Sequence, residues 1–167
     1  MIIHLPDPSL ILLIGVSASG KSTFAKRHFF PTQIISSDHC RAIICDDEKD
    51  QSVTPQAFRL LHYIVRQRLN IGKLTVIDAT NLQQKARIPL LQIASARQIP
   101  AIAIVFDIPE TLCIRRDLSR NRTVGSEVIN RQFLDFQSTK TQLESENFHQ
   151  VITFKGVSQI NRSKIHS

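Results

Sequence analysis

The chain has 167 residues, 42% of them hydrophobic, a net charge of +7, no Trp, one Tyr and nine Phe. That is enough chain to bury one sizeable core, and it is too apolar for a disordered or fibrous class. Aromatic content is too sparse for a stacking platform that holds single strands, and no apolar run reaches the roughly eighteen residues of a membrane span.

The opening MIIHLPDPSLILLIG is apolar but lacks a basic leader region, and two prolines interrupt it. It does not read as a signal peptide, so a cytoplasmic location is expected. Cys40, Cys45 and Cys113 have no metal-type spacing, and an odd number suits free thiols in a reducing compartment. Residues 1–50 carry five Lys/Arg against six Asp/Glu, residues 51–100 seven against one, and residues 101–167 nine against seven. The basic excess favours polyanionic partners.

The first predicted strand, Leu10–Ile14, is continuously apolar, as a strand buried on both faces must be. It runs into Gly15-Val16-Ser17-Ala18-Ser19-Gly20-Lys21-Ser22, which fits G-x-x-x-x-G-K-[ST]. Such a loop turns its backbone N–H groups onto phosphates. Lys21 then meets the terminal phosphates, and the Ser22 hydroxyl suits Mg²⁺. The binding segment is expected to comprise Gly15, Ser17, Ala18, Ser19, Gly20, Lys21, Ser22 and Thr23. A helix over Lys21–Phe30 follows and is stopped by Pro31.

Gln33–Ser36 reads as the second strand, with Ser37-Asp38-His39-Cys40-Arg41 after it. If a helix starts there, Asp38 and Arg41 share one face, at the strand ends where a parallel sheet opens its ligand crevice. A carboxylate so placed can take the proton of an attacking hydroxyl. Arg41 can hold it ionised or grip an anionic acceptor. The plainer alternative is an Asp N-cap with an incidental Arg. The acidic run Asp46-Asp47-Glu48-Lys49-Asp50 reads as a solvated loop rather than a metal site.

Thr54–Asn70 has Phe58, Leu61, Val65 and Leu69 at helical spacing, ended by Ile71-Gly72. Leu74–Ala79 is the third strand and ends in Asp78-Ala79-Thr80-Asn81. Asp78 is a candidate for a Mg²⁺-bound water, and Thr80 and Asn81 for orienting the acceptor or Asp38; a turn-and-cap sequence is the alternative. A helix over Gln84–Arg97, a strand over Ala101–Phe106, helices over Pro109–Arg120 and Gly125–Glu144, and a strand over Val151–Phe154 complete the pattern. The fold class is therefore α/β, a three-layer sandwich on a parallel sheet. In Arg115-Arg116-Asp117-Leu118-Ser119-Arg120-Asn121-Arg122, Arg116 and Arg120 are four apart. They fit a lid carrying positive charge to a transferring phosphoryl group, with a solvated helix face as the alternative.

GxSxSGKSTFAK, ISSDxCR, the DDExD loop, LHYIV, GKLTVxDATN and the arginine lid together resemble the kinase domain of the bacterial polynucleotide kinase-phosphatases, over essentially the whole chain. The resemblance implies a P-loop kinase domain over residues 1–167, with a helical lid at about 113–130. It implies transfer of the γ-phosphate of ATP, or another NTP, to 5′-OH ends of single-stranded RNA or DNA, with Mg²⁺. Lys21 and Ser22 would bind phosphate and metal, and Asp38 would be the general base. Arg41 would face the acceptor, and Arg116 and Arg120 would reach the donor phosphates. The lid reads RNRTV after Arg120, one residue shorter than the family pattern, and Arg122 receives no role. Nothing matches a metallophosphatase Asp-His cluster, a DxDxT loop or a KxDG ligase motif. Phosphatase and ligase modules, on the same or another chain, are therefore expected partners rather than parts of this segment. The competing readings are a small-metabolite kinase of the same fold and a GTPase-like switch. The switch lacks both N-K-x-D and D-x-x-G.

Overall fold

The computed structural model describes residues 1–166. Five parallel strands form the central sheet: β2 (Leu10–Ile14), β3 (Ile34–Ser36), β4 (Thr75–Asp78), β5 (Ala101–Phe106) and β6 (Gln150–Phe154), in the order β3-β4-β2-β5-β6. β2 and β5 are buried at every position, as their unbroken apolar runs require. Edge strands β3 and β6 are only partly covered. The helices α1 (Lys21–His28), α2 (Ser37–Cys45), α3 (Thr54–Asn70), α4 (Gln84–Ser95), α5 (Glu110–Leu118) and α6 (Ser126–Gln142) connect them. This is the expected α/β architecture. The order reverses around β2, so the crevice opens beyond the carboxyl ends of β2 and its neighbours.

Boundaries differ where local chemistry decides. α1 stops at His28, because Phe29 is already extended ahead of Pro31. Pro109 is the N-cap of α5 rather than its first residue, and α4 passes through Pro89 to end at Ser95. Ser36, not Asp38, caps α2, its hydroxyl accepting from the His39 N–H at 3.3 Å. Asp38 is thereby freed for other partners.

Three elements escaped the sequence reading. α7 (Val157–Arg162) follows β6, and β1 (Ile2–His4) pairs in parallel with β7 (Lys164–His166) as a separate two-stranded sheet. Strands of three residues carry no readable period. Beneath the phosphate loop, Phe24, Phe106 and Phe154 pack edge to face with centroids 5.4–5.5 Å apart. Cys40 and Cys113 are buried free thiols and Cys45 is a half-buried one. No helix among the described residues is long and apolar enough to cross a membrane.

Candidate active site

The loop after β2 is shaped by contact as much as by torsion. A Cβ on Gly15 would lie 2.9 Å from Ser19 Oγ and 3.1 Å from Phe106 Cβ, so only glycine lets the chain pass the end of β5. Gly20 sits at φ 106° and Ala18 at φ 61°. The loop turns the Lys21 ammonium inward, where it donates to the carbonyls of Gly15 at 2.9 Å and Val16 at 2.7 Å and is 7% exposed. Burial lowers its pKa to about 8, with the Asp78 carboxylate acting in the opposite direction. Ser22 and Thr23 are exposed.

Two clefts meet at this loop. The smaller, about 420 Å³, is lined by Gly20, Thr23, Arg116, Arg120 and, from α7, Val157 and Asn161. Arg116 lies over the loop, with Nη1 3.8 Å from the position a Gly20 Cβ would take. The larger, about 1000 Å³, runs from Ser17 and Ser22 past Asp38 and Asp78 to the facing sides of α3 and α6. Lys21, Ser22 and Arg120 border both.

Asp38 and Arg41 do share one face of α2. Arg41 Nη1 meets Asp38 Oδ1 at 2.9 Å, and its Nε donates to Thr54 Oγ1 at 3.2 Å. Asp78 ends β4 in register with Leu13 of β2 and Ser36 of β3. Thr80 acts through its backbone, its carbonyl accepting from the Gly15 N–H at 3.1 Å. Asn81 departs from expectation. Its Nδ2 donates to the Leu13 carbonyl at 2.7 Å, tying the loop after β4 to β2 instead of orienting Asp38.

The arginine segment is more ordered than a charge run suggests. Asp117, almost fully buried, accepts from the backbone N–H groups of Val124, at 3.1 Å, and Gly125, at 3.0 Å. This folds residues 119–125 into a fixed loop. Arg120 stays half exposed, 3.8 Å from Asp117. Arg122 turns the other way, into the larger cleft, and pairs with Asp38 and with Glu48 of the acidic loop. That loop is therefore tied at Glu48 rather than simply solvated. Gln132 of α6 places Oε1 2.8 Å from the Ser17 N–H of the phosphate loop. Asp117 had a signal in the sequence, as the lone acid in an arginine run, and Glu48 had one as part of the acidic run; Gln132 and the α7 residues had none.

A parallel sheet ending in a phosphate-type loop, flanked by two clefts with a helical arginine segment above, defines the P-loop kinase fold. The chain belongs to the AAA_33 family, described as an AAA domain, whose model matches residues 10–143. It is similar to L-seryl-tRNA(Sec) kinase of Methanococcus maripaludis, 24% identical over 140 residues, with 80% of this chain and 54% of that protein covered. The chain thus spans about half the length of the curated relative it matches. Similar structures include a chain of the Pnkp1/Rnl/Hen1 RNA repair complex, at TM-score 0.71 and 21% identity over 83% of this chain and 47% of that one. They also include the Mycobacterium tuberculosis APS kinase CysC in complex with AMPPNP and APS, at TM-score 0.53 and 19% identity over 68% and 70%.

Proposed function

We propose that this chain is a polynucleotide 5′-hydroxyl kinase that transfers the γ-phosphate of ATP, or another NTP, to 5′-OH ends of RNA or DNA. The observation that carries it is the single cleft holding both the phosphate loop and the arginine-paired Asp38, with room beyond them for more than a small metabolite. Lys49 of the acidic loop, Lys85 of α4 and Arg131 of α6 also line that cleft and enter no ion pair among the described residues. They suit an acceptor whose phosphates continue past the reacting hydroxyl. Two of the proteins it is similar to carry RNA in their names, which agrees with an acceptor hydroxyl presented on RNA.

The donor lies in the smaller cleft, its phosphates on the amides of Ala18 and residues 20–23 and its charge met by Lys21, Arg116 and Arg120. The Ser22 hydroxyl and Asp78 carboxylate open into one cleft as hard oxygen donors, a set that fits Mg²⁺. When bound, the cation supplies charge neutralisation on the transferring phosphoryl group. Asp38 takes the proton of the acceptor hydroxyl as its oxygen attacks phosphorus, and Arg41 holds that carboxylate toward the acceptor. Phosphatase and ligase modules would supply the preceding and following steps of end repair.

Transfer from γ-labelled ATP to 5′-OH oligonucleotides, to a seryl-tRNA and to a panel of small hydroxyl and sulfate metabolites tests this reading. Label on the oligonucleotide 5′ end is the expected result. Label on the metabolites alone assigns a small-metabolite kinase instead.

A further inference from the structure

Asp38 is a half-exposed carboxylate, 46% accessible at its side chain, yet neither oxygen is free. Oδ1 is taken by Arg41, one helical turn away on α2. Oδ2 is taken at 3.1 Å by Arg122, from the far side of the cleft and 84 residues along the chain. Arg122 is itself constrained. Its Nη1 lies 2.8 Å from Glu48 Oε1 and its Nη2 donates to the Glu48 carbonyl at 3.3 Å. Its side chain is 20% exposed, unlike the freely solvated pairs that contribute little. The guanidinium therefore bridges two carboxylates, one on the acidic loop and one at the centre of the cleft.

We infer that Arg122 is a positioning residue for phosphoryl transfer: it fixes the second oxygen of Asp38, and Glu48 fixes Arg122. The inference rests on the phosphotransfer reading above, not on which acceptor is used. A carboxylate held by Arg41 alone keeps rotational freedom about its side chain, and general-base catalysis requires an oxygen aimed at the acceptor hydroxyl. Arg122 removes that freedom. It belongs to the same Asp117-folded segment as Arg120, so one element presents a cation to the donor cleft and another to the base.

The test compares kcat and both KM values for Arg122→Ala, Arg122→Lys and Glu48→Gln, and repeats Arg122→Ala on an Asp38→Asn background under single-turnover conditions. It uses whichever acceptor the wild type phosphorylates. Failure with oligonucleotides then counts against the acceptor class alone, and a small acceptor serves the same comparison. From the strength of hydrogen bonds between charged groups, Arg122→Ala is expected to lower kcat about ten- to a hundredfold. Both KM values are expected to stay within about threefold, and lysine to recover part of the loss. On the Asp38→Asn background the substitution should cost less than about twofold, because its target is gone. An equal loss on that background overturns the inference. Glu48→Gln, which loosens Arg122 but leaves its pairing with Asp38 in place, is expected to give a smaller loss of kcat; a full-sized loss from Glu48→Gln that persists on the Asp38→Asn background would make Arg122 a tie for the acidic loop and overturn the inference. A raised KM for ATP with unchanged kcat would make it a donor ligand.

Discussion

Lys21 is held by its own loop, on two backbone carbonyls, and burial brings its pKa to about 8. Since this lies below the ordinary lysine value, the buried ammonium costs stability below pH 8, a cost relieved as pH rises from about 8 toward 10.5. Phosphates arriving at the loop favour the charged form. ATP binding should therefore take up protons near pH 8, and affinity should fall above it; calorimetry in buffers of different ionisation enthalpy measures both. An affinity flat from pH 7 to about 9.5 would show that Lys21 does not meet the phosphates. Asp38→Ala should behave differently, losing about 10²–10⁴ in turnover with Mg·ATP affinity nearly unchanged, read by single-turnover transfer and titration. A collapse of ATP affinity would make Asp38 a metal or structural residue. The phosphate loop was readable because its chemistry is contiguous. Gln132, 115 residues from Ser17, was not, because only folding brings α6 to the loop.

Among the elements, the loop after β4 is also clamped from within the fold. Arg87 is fully buried, donates to the carbonyls of Asn81 at 2.9 Å and Leu82 at 2.8 Å, and pairs with Glu146, four residues beyond α6. The polar wall of the larger cleft is thus braced from behind by an ion pair. Removing one partner leaves a buried charge unmatched, so Glu146→Ala should cost about 3–5 kcal/mol, seen as a lower denaturant midpoint at unchanged slope. A loss below about 1 kcal/mol would place the pair with ordinary surface bridges. Periodicity made α3 legible from end to end, and continuous apolar runs did the same for β2 and β5. α7 and the β1–β7 pair were hidden because each is too short to show a period, and their stability comes from partners distant in sequence.

At the scale of the whole molecule, net charge proved a poor guide to where charge acts. Of the seven cations in residues 51–100, only Lys85 lines the larger cleft. Arg87 is internal, Arg68 donates to the Leu74 carbonyl at the opposite end of β4, and Arg97 bonds Asn70. Arg59, Arg66 and Lys73 are exposed away from the cleft, which takes Lys49 and Arg131 from other parts of the chain. If those two and Lys85 each meet a phosphate, the log–log salt slope for oligonucleotide binding should be about −2.1, at roughly −0.7 per contact on single strands. Acceptor KM should fall from mononucleotide to short oligomer and then level off. A flat length profile with no salt slope would exclude the polynucleotide acceptor.

The β1–β7 pair joins residues some 160 positions apart, with the Met1 ammonium also donating to the Arg162 carbonyl at 3.2 Å. A contact of such long sequence separation is expected to form late and to open first. Between its two strands on the chain lies α7, whose Val157 and Asn161 border the smaller cleft. Opening the pair therefore slackens one wall of the proposed donor site, and a nucleotide that braces the wall must slow the opening. Amide deuterium uptake at Leu5 and Lys164, whose N–H groups donate across the pair to His166 and Met1, should fall when ATP is present, although neither residue touches either cleft.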